Sequence, residues 1–133
     1  MTKTNNYLTM LAILVTLAAL TTVGMVAAVG NAEAATKART TLTIQAEGID
    51  LSGKVKSQKL SCLGGRTVKV YKQKGTAQNP ATDPVVASDT SERVGSVGVW
   101  STGNTGLEGK FYARTRGTLA CTGATSQTIV ARR

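Results

Sequence analysis

Short segments of alternating apolar and polar residues place the strongest limit on the fold of this chain. In the segment RTVKVYKQ, Val68 and Val70 lie on one side of an extended backbone, and Lys69 and Tyr71 lie on the other. A period of two residues is the pattern of a half-buried β-strand. Arg66 shares the parity of the valines, but it stands at the end of the segment, where we expect its long side chain to reach water.

Similar segments recur through residues 41–133, with glycine-rich turns between them and no sustained helical period. Residues 85–101 predict two strands around a Ser-Glu-Arg turn. Trp100 falls out of phase with Val97 and Val99, so we expect it to pack in the core or at the sandwich edge. Short strands at such regular spacing favour an all-β fold. The prediction is a small antiparallel β-sandwich of about seven strands, Ig-like or transthyretin-like, preceded by an N-terminal signal helix.

The first 34 residues have the layout of a secretory signal peptide. Lys3 precedes an apolar run at residues 8–29, and Ala32 and Ala34 occupy the −3 and −1 positions of an A-x-A site, so cleavage is expected before Ala35. The run is also long enough to span a bilayer, which makes an uncleaved membrane anchor the alternative. Both interpretations predict a secreted or cell-surface protein.

The exported part would consist of a flexible basic lead at residues 35–40 and the sandwich at residues 41–133. Its two cysteines, Cys62 and Cys121, are expected to form a disulfide in an oxidising compartment; two unpaired buried thiols are the alternative. The bridge would close a loop of about 60 residues, which the chain-entropy relation values at roughly 4 kcal/mol. Leu119 and Cys121 continue the inward parity of the strand before them, so Cys121 is expected to face the core.

Several motifs occur together in an order that resembles a known family of secreted domains. They are G-K-V at 53–55, V-K-V-Y at 68–71, G-V-W at 98–100, G-K-F-Y-A at 109–113 and S-Q-T-I-V at 126–130. The pattern is similar to that of transthyretin-like domains, also described as carboxypeptidase-regulatory-like or prealbumin-like. The resemblance implies a β-sandwich that serves as an accessory or surface module and has no catalytic residue.

The composition argues against an enzyme. The chain has no histidine, which is the commonest general base and metal ligand. Most acidic residues fall in predicted turns, where carboxylates usually accept hydrogen bonds from nearby backbone N–H groups. Asp83, Asp89 and Glu92 lack the dense spacing of a calcium-binding loop. We therefore expect no catalytic residue, no metal site and no cofactor.

A surplus of positive charge is the one sequence feature that points to a ligand. The net charge is +9, and it remains +9 without the signal peptide because Lys3 and Glu33 are lost together. Such a surplus favours contact with polyanions. The alternative is a solvated sheet face whose lysines only prevent edge-to-edge pairing. The candidates for polyanion binding, all opposite core-facing positions, are Lys54, Lys56, Lys69, Tyr71, Lys110, Tyr112, Arg114 and Arg116.

These observations favour a non-catalytic secreted or cell-surface β-sandwich module with a structural or interaction role. One alternative is a subunit of an extracellular filament, in which residues 35–46 add as a strand to a neighbouring copy. Another is a polyanion-binding module that uses the basic face. The expected partners are other cell-envelope proteins, further copies of the chain or anionic polymers. Membrane contact is expected only through an uncleaved signal segment.

Overall fold

A computed structural model describes residues 35–133, in which short strands form two antiparallel sheets. The predicted signal peptide at residues 1–34, with the cleavage site that follows Ala34, lies outside the described residues. No helix in residues 35–133 has the length and apolar character needed to cross a membrane. The first sheet contains β1 (Thr40–Leu42), β2 (Gln45–Glu47), β3 (Asp50–Ser57), β6 (Glu92–Val94) and β7 (Val97–Asn104). The second contains β4 (Thr67–Lys72), β5 (Val85–Thr90), β8 (Gly109–Thr115), β9 (Ala124–Thr125) and β10 (Ile129–Ala131).

The strand order identifies the architecture. The first sheet runs β1–β3–β7–β6, with β2 beside the other half of β3. The second runs β10–β8–β4–β5, with β9 also beside β8. This is the order of an immunoglobulin-like sandwich, in which two sheets enclose one core. The predicted fold class, a small antiparallel all-β sandwich, is therefore confirmed.

The structure has more strands than predicted because three chain segments contribute two strands each. β1 and β2 are successive pieces along β3, and β9 and β10 are successive pieces along β8. β5 pairs with β4 in one sheet, and after Ser91 the chain continues as β6 in the other. The predicted Ser-Glu-Arg turn is thus a crossing between sheets, and the tight turn comes later, at Gly95 with a φ of 60°. Three double segments and the four single strands β3, β4, β7 and β8 make seven chain segments.

The core lies between the sheets and follows the predicted alternation on most strands. On β7, however, Gly98 and Trp100 face inward, and Val97 and Val99 are only half-buried. Trp100 lies opposite Gly53 of β3, where a Cβ would stand 2.7 Å from Cζ2 of the indole. Glycine on the neighbouring strand therefore makes room for Trp100 in the core. The fully buried core side chains include Leu51, Val55, Val68, Val70, Phe111 and Ala113.

The predicted disulfide is present and joins two loops at one end of the sandwich. Cys62 and Cys121 are bonded, with Cα atoms 5.8 Å apart and a sequence separation of 59. Cys121 is buried, as expected, but Leu119 is 95% exposed. β8 ends at Thr115, and the N–H of Thr118 then donates to Cys121 O in a turn, so strand parity no longer decides which side chains point inward.

The packed domain begins before the predicted boundary at residue 41. Ala38 lies beside Cys121 in a short parallel bridge, in which its N–H donates to Ala120 O at 2.8 Å and its carbonyl accepts from Thr122 N at 2.9 Å. Thr40 is also buried, and its N–H donates to Thr122 Oγ1. The beginning of the sandwich therefore moves to Ala38, within the segment predicted to be a flexible lead.

Candidate anion-binding site

The residues predicted to bind a polyanion are divided between the two sheets. Lys54 and Lys56 are exposed on β3, in the first sheet. The other candidates belong to β4, β8 and the loop after β8, in the second sheet. The expectation of one basic face is thereby corrected, because alternation shows which residues point outward but not which strands share a sheet.

Two neighbouring strands of the second sheet bring several candidates together. Lys69 of β4 lies directly opposite Arg114 of β8, and Tyr71 lies directly opposite Tyr112. The two strands border a groove of about 930 Å³, a volume typical of ligand sites. Arg116, which follows β8, also lines this groove. We call it the cationic groove; it has no acidic residue in its lining. The lining also includes Arg66, Thr67, Pro80, Thr115, Thr118 and Thr125.

Lys69 and Arg114 form a like-charged pair across the two strands. Like charges directly opposite each other in an antiparallel sheet are destabilising, by up to about 1 kcal/mol. The only ion pair found within residues 35–133 joins Arg133 to Glu108, with 3.9 Å between Nε and Oε1, so it involves neither Lys69 nor Arg114. An anion bound between Lys69 and Arg114 would relieve their repulsion, so the pair has the electrostatics of an anion site.

Arg66 adds a buried positive charge at one end of the groove. It is only 4% exposed, although the sequence led us to expect that it would reach water. Its Nη1 donates to Thr40 Oγ1 at 3.3 Å and to Cys62 O at 3.4 Å. Its Nη2 donates to Arg116 O at 2.6 Å and to Thr122 O at 3.1 Å. These partners are all neutral, and burial lowers the pKa of Arg66.

Sequence reasoning missed this role of Arg66, although its parity with Val68 and Val70 was a usable signal. The parity places its side chain on the inward side of β4. A buried guanidinium needs acceptors in several directions, and those acceptors come from loops distant in sequence. No local pattern identifies such partners.

The rim of the groove that carries Arg114 and Arg116 is held in place by neighbouring atoms. Nε of Arg114 donates to Thr125 Oγ1 of β9 at 3.2 Å. The backbone after Arg116 folds back closely, so that a Cβ at Gly123 would lie 3.0 Å from the backbone nitrogen of Gly117. Glycine at this position therefore permits the loop to close beside the groove.

The sequence predicts that Tyr112 faces outward beside the basic residues, but its side chain does not line the groove. It is fully buried and stacks on Tyr71, with ring centroids 5.2 Å apart and planes inclined by 9°. Its hydroxyl donates to Asp83 Oδ2 at 3.0 Å. Burial and this bond to a carboxylate raise the pKa of Tyr112 to about 12. Tyr112 therefore has a structural role, and Tyr71 is the tyrosine that lines the groove.

Asp83 orders the loop between β4 and β5. Its Oδ1 accepts the backbone N–H of Lys74 at 3.0 Å, and its Oδ2 accepts that of Asn79 at 2.8 Å, in addition to the hydroxyl of Tyr112. These bonds hold the pKa of Asp83 below its usual range. The backbone N–H of Lys74 has the largest effect on this pKa, and that of Asn79 has the next largest. The carboxylate thus fixes the loop across the outer face of the second sheet.

The same loop separates Lys110 from the cationic groove. Pro80 of this loop lines the groove, whereas Gln73 and Gln78 line a different depression together with Lys110. Gln78 also donates to the carbonyl of Ser126 at 3.0 Å, which attaches the loop to the chain beyond β9. Lys110 is therefore outside the groove, although it lies on the same side of β8 as Arg114.

The acidic residues considered as a weak calcium site do not gather around one point. Asp83 is occupied by the three bonds described above, and Asp89 Oδ2 accepts the backbone N–H of Ser101 at 2.7 Å. In the part of the chain that the structure describes, no three potential ligands are placed to hold a metal ion.

Comparisons with known proteins assign no function to the chain. No protein-family model matches it, and no curated protein matches it. Among solved structures, it is similar to an uncharacterized protein from Bacillus anthracis str. Ames, with a TM-score of 0.47, 11% sequence identity, and coverage of 66% of this chain and 75% of that one. A likeness of this size carries no functional argument.

Proposed function

We propose that this chain is an exported, non-catalytic module that works at the cell surface and binds an anionic polymer in the cationic groove. The observation that carries this proposal is the juxtaposition of Lys69 and Arg114 without an acidic residue in the groove. Two cations held opposite each other lower the stability of the free protein, and that cost is offset when an anionic group lies between them.

A polymer fits the arrangement better than a single small anion. Lys69 and Arg114 lie on adjacent strands, which are about 5 Å apart, while Arg114 and Arg116 are separated by two residues, or about 7 Å, along the chain. The three cations therefore form an angled patch rather than a single point, and such a patch can contact several phosphate or carboxylate groups of one polymer. Tyr71 adds a flat apolar surface to the same groove, on which a ring or a hydrocarbon segment of the polymer can lie.

Export is supported by the signal-peptide pattern of residues 1–34 together with the Cys62–Cys121 disulfide. Disulfides persist in oxidising compartments and are rare in the cytosol. Whether the apolar run is removed or retained as an anchor, the module would act outside the cytoplasm. The resemblance to transthyretin-like domains would imply the same accessory role. That resemblance remains a prediction.

The filament alternative has less support from the structure. In residues 35–46, β1 and the beginning of β2 pair with β3 of the same chain, and Ala38 pairs with Cys121. Adding this segment to a neighbouring copy would first require these bonds to break. Lys69, Arg114 and Arg116 already line the groove, so anion binding there requires no bonds to break.

The test is binding of the disulfide-bonded protein to long-chain polyphosphate and to heparin, two polymers with different anionic groups. The double variant K69Q/R114Q should bind roughly tenfold more weakly or worse, because each lost cation removes a contact to the polymer. The matched control is K54Q/K56Q, which removes the same charge from the first sheet. Equal losses in both variants would show that net charge alone governs binding, and would overturn the groove as the site.

A further inference from the structure

Exposed leucines flank the disulfide at the end of the sandwich where the described chain begins. Leu60 is 50% exposed and lies two residues before Cys62, while Leu119 is 95% exposed and lies two residues before Cys121. Because the disulfide joins the two loops, both leucines are at one end of the molecule. We call this region, made of residues 35–39, 58–66 and 116–123, the disulfide end.

Basic residues surround these leucines, and acidic residues are absent from all three segments of the disulfide end. Lys37, Arg39, Lys59 and Arg116 are exposed there. Arg66 contributes a buried positive charge to the same end. The disulfide end therefore combines projecting apolar side chains with a positive electrostatic potential, which is the combination that binds an anionic membrane interface.

The path of the chain supports a lipid surface as the partner. The apolar run ends at residue 29, and Ala38 is fixed beside the disulfide. The connecting residues 30–37 span at most about 30 Å when fully extended. In an anchored form, the disulfide end would therefore be tethered close to the bilayer, and a weak affinity for lipid would be sufficient to hold it there.

We propose that the disulfide end docks on the surface of an anionic lipid bilayer, with Leu119 and Leu60 inserted among the headgroups and the surrounding cations in contact with lipid phosphates. This interaction does not depend on polymer binding, because it uses the exposed leucines and loop cations of the disulfide end rather than the Lys69–Arg114 pair. Arg66 and Arg116 border both regions. Only side chains outside the sheets enter the interface, so docking needs no rearrangement of the strands. Bilayer contact through the folded domain is an addition to the membrane contact predicted from the signal segment.

The experiment uses residues 35–133, which contain the whole core, both sheets and the disulfide. Binding is measured by co-sedimentation with vesicles of phosphatidylglycerol and phosphatidylcholine, and with vesicles of phosphatidylcholine alone. We expect binding only to the anionic vesicles. L119S should weaken it about tenfold, since a largely inserted leucine is lost, and K59Q about fivefold, since one surface cation is lost.

Matched controls lie away from the disulfide end. Val130 is 51% exposed on β10 and pairs with Lys110, so V130S and K110Q change similar side chains elsewhere and should leave vesicle binding unchanged. K69Q/R114Q separates the two proposals, because it should weaken polyphosphate binding roughly tenfold or more but affect vesicle binding much less than L119S and K59Q together. Unchanged binding in L119S, equal binding to neutral vesicles, or a loss confined to K69Q/R114Q would each overturn docking through the disulfide end.

Discussion

The loops at the two ends of strand β4 are held by buried side chains of opposite charge. At the first end, the guanidinium of Arg66 donates hydrogen bonds to carbonyl oxygens of Arg116 and Thr122, next to the disulfide. At the other end, the carboxylate of Asp83 accepts hydrogen bonds from the backbone N–H groups of Lys74 and Asn79. Both ions are buried, and neither forms an ion pair within residues 35–133.

The difference gives the Arg66 end of the molecule the more positive potential, and this is the end where we propose that anions bind. A buried cation with neutral partners adds positive potential to the groove and to the disulfide end, whereas a buried anion reduces that potential at the opposite end. Lys110 lies at the Asp83 end and outside the groove, while Arg114 and Arg116 lie toward the Arg66 end. We therefore expect anion binding to depend more on where each cation lies relative to these buried ions than on the total charge of the protein.

Removing the disulfide should have the largest effect on stability. Because the bridge closes a loop with a sequence separation of 59 residues, C62A/C121A should lower the free energy of unfolding by roughly 4 kcal/mol. Urea denaturation of the variant and the oxidised wild type measures this difference. In hydrogen exchange, amides of residues 116–123 should lose protection before those of residues 74–83. Equal loss in both loops would contradict the separation of the two ends.

Replacing Arg66 should have the next largest effect. R66M leaves the carbonyls of Arg116 and Thr122 buried without donors, and we expect a loss of about 3 kcal/mol. R66K should be intermediate, because one ammonium group cannot reproduce the forked geometry of a guanidinium. The control is K69M, the same type of change at an exposed neighbour, which should not lower stability and should raise it by up to about 1 kcal/mol, because the repulsion of Arg114 is removed. Similar losses in R66M and K69M would show that Arg66 does not hold the loops.

Asp83 should make the opposite end sensitive to acid. Its pKa is lower in the folded protein than in the unfolded chain, so its contribution to stability is present above the usual value of 3.8 and is lost as the pH falls further toward the folded-state pKa. D83N should lower the melting temperature at neutral pH and remove much of the decline below about pH 4. Thermal melts from pH 2 to 7 test both effects. If the melting temperature of D83N falls below pH 4 as steeply as that of the wild type, other carboxylates are responsible for the fall.

Replacing Tyr112 should have the smallest effect on stability, and the pH dependence of this effect should be seen at alkaline pH. Burial and the bond to Asp83 raise its pKa to about 12, so its contribution is present below the unfolded value near pH 10 and is lost as the pH rises toward 12. Y112F should cost about 1 to 2 kcal/mol at neutral pH, because one hydrogen bond to a charged group is lost. Absorbance titration of residues 35–133 should lose its late-ionising tyrosine in Y112F. Loss of the late step in Y71F instead would contradict the assignment.

Alternation in the sequence predicted the sandwich and the inward valines of β4, because these depend on strand parity. Cys121 is buried as expected, but it lies beyond the end of β8, and its disulfide with Cys62 rather than strand parity holds it there. Alternation did not predict that Leu119 is exposed, since parity ends where β8 ends. Nor did it predict the burial of Tyr112, which lies on the outer side of its strand and is covered by the β4–β5 loop. Sheet membership, which separates Lys54 and Lys56 from the groove, depends on long-range pairing that local patterns do not contain.

The salt dependence of polyphosphate binding tests the cationic groove most directly. For a polyanion, the logarithm of the binding constant falls linearly with the logarithm of salt concentration, and the slope decreases by about one for each phosphate contact removed. R114Q and K110Q each remove one charge from the same side of β8, at a half-buried and an exposed position respectively. We predict that R114Q makes the slope shallower by about one, whereas K110Q leaves it unchanged. Equal slopes for the wild type and R114Q, or equal changes in both variants, would contradict a binding site in the groove.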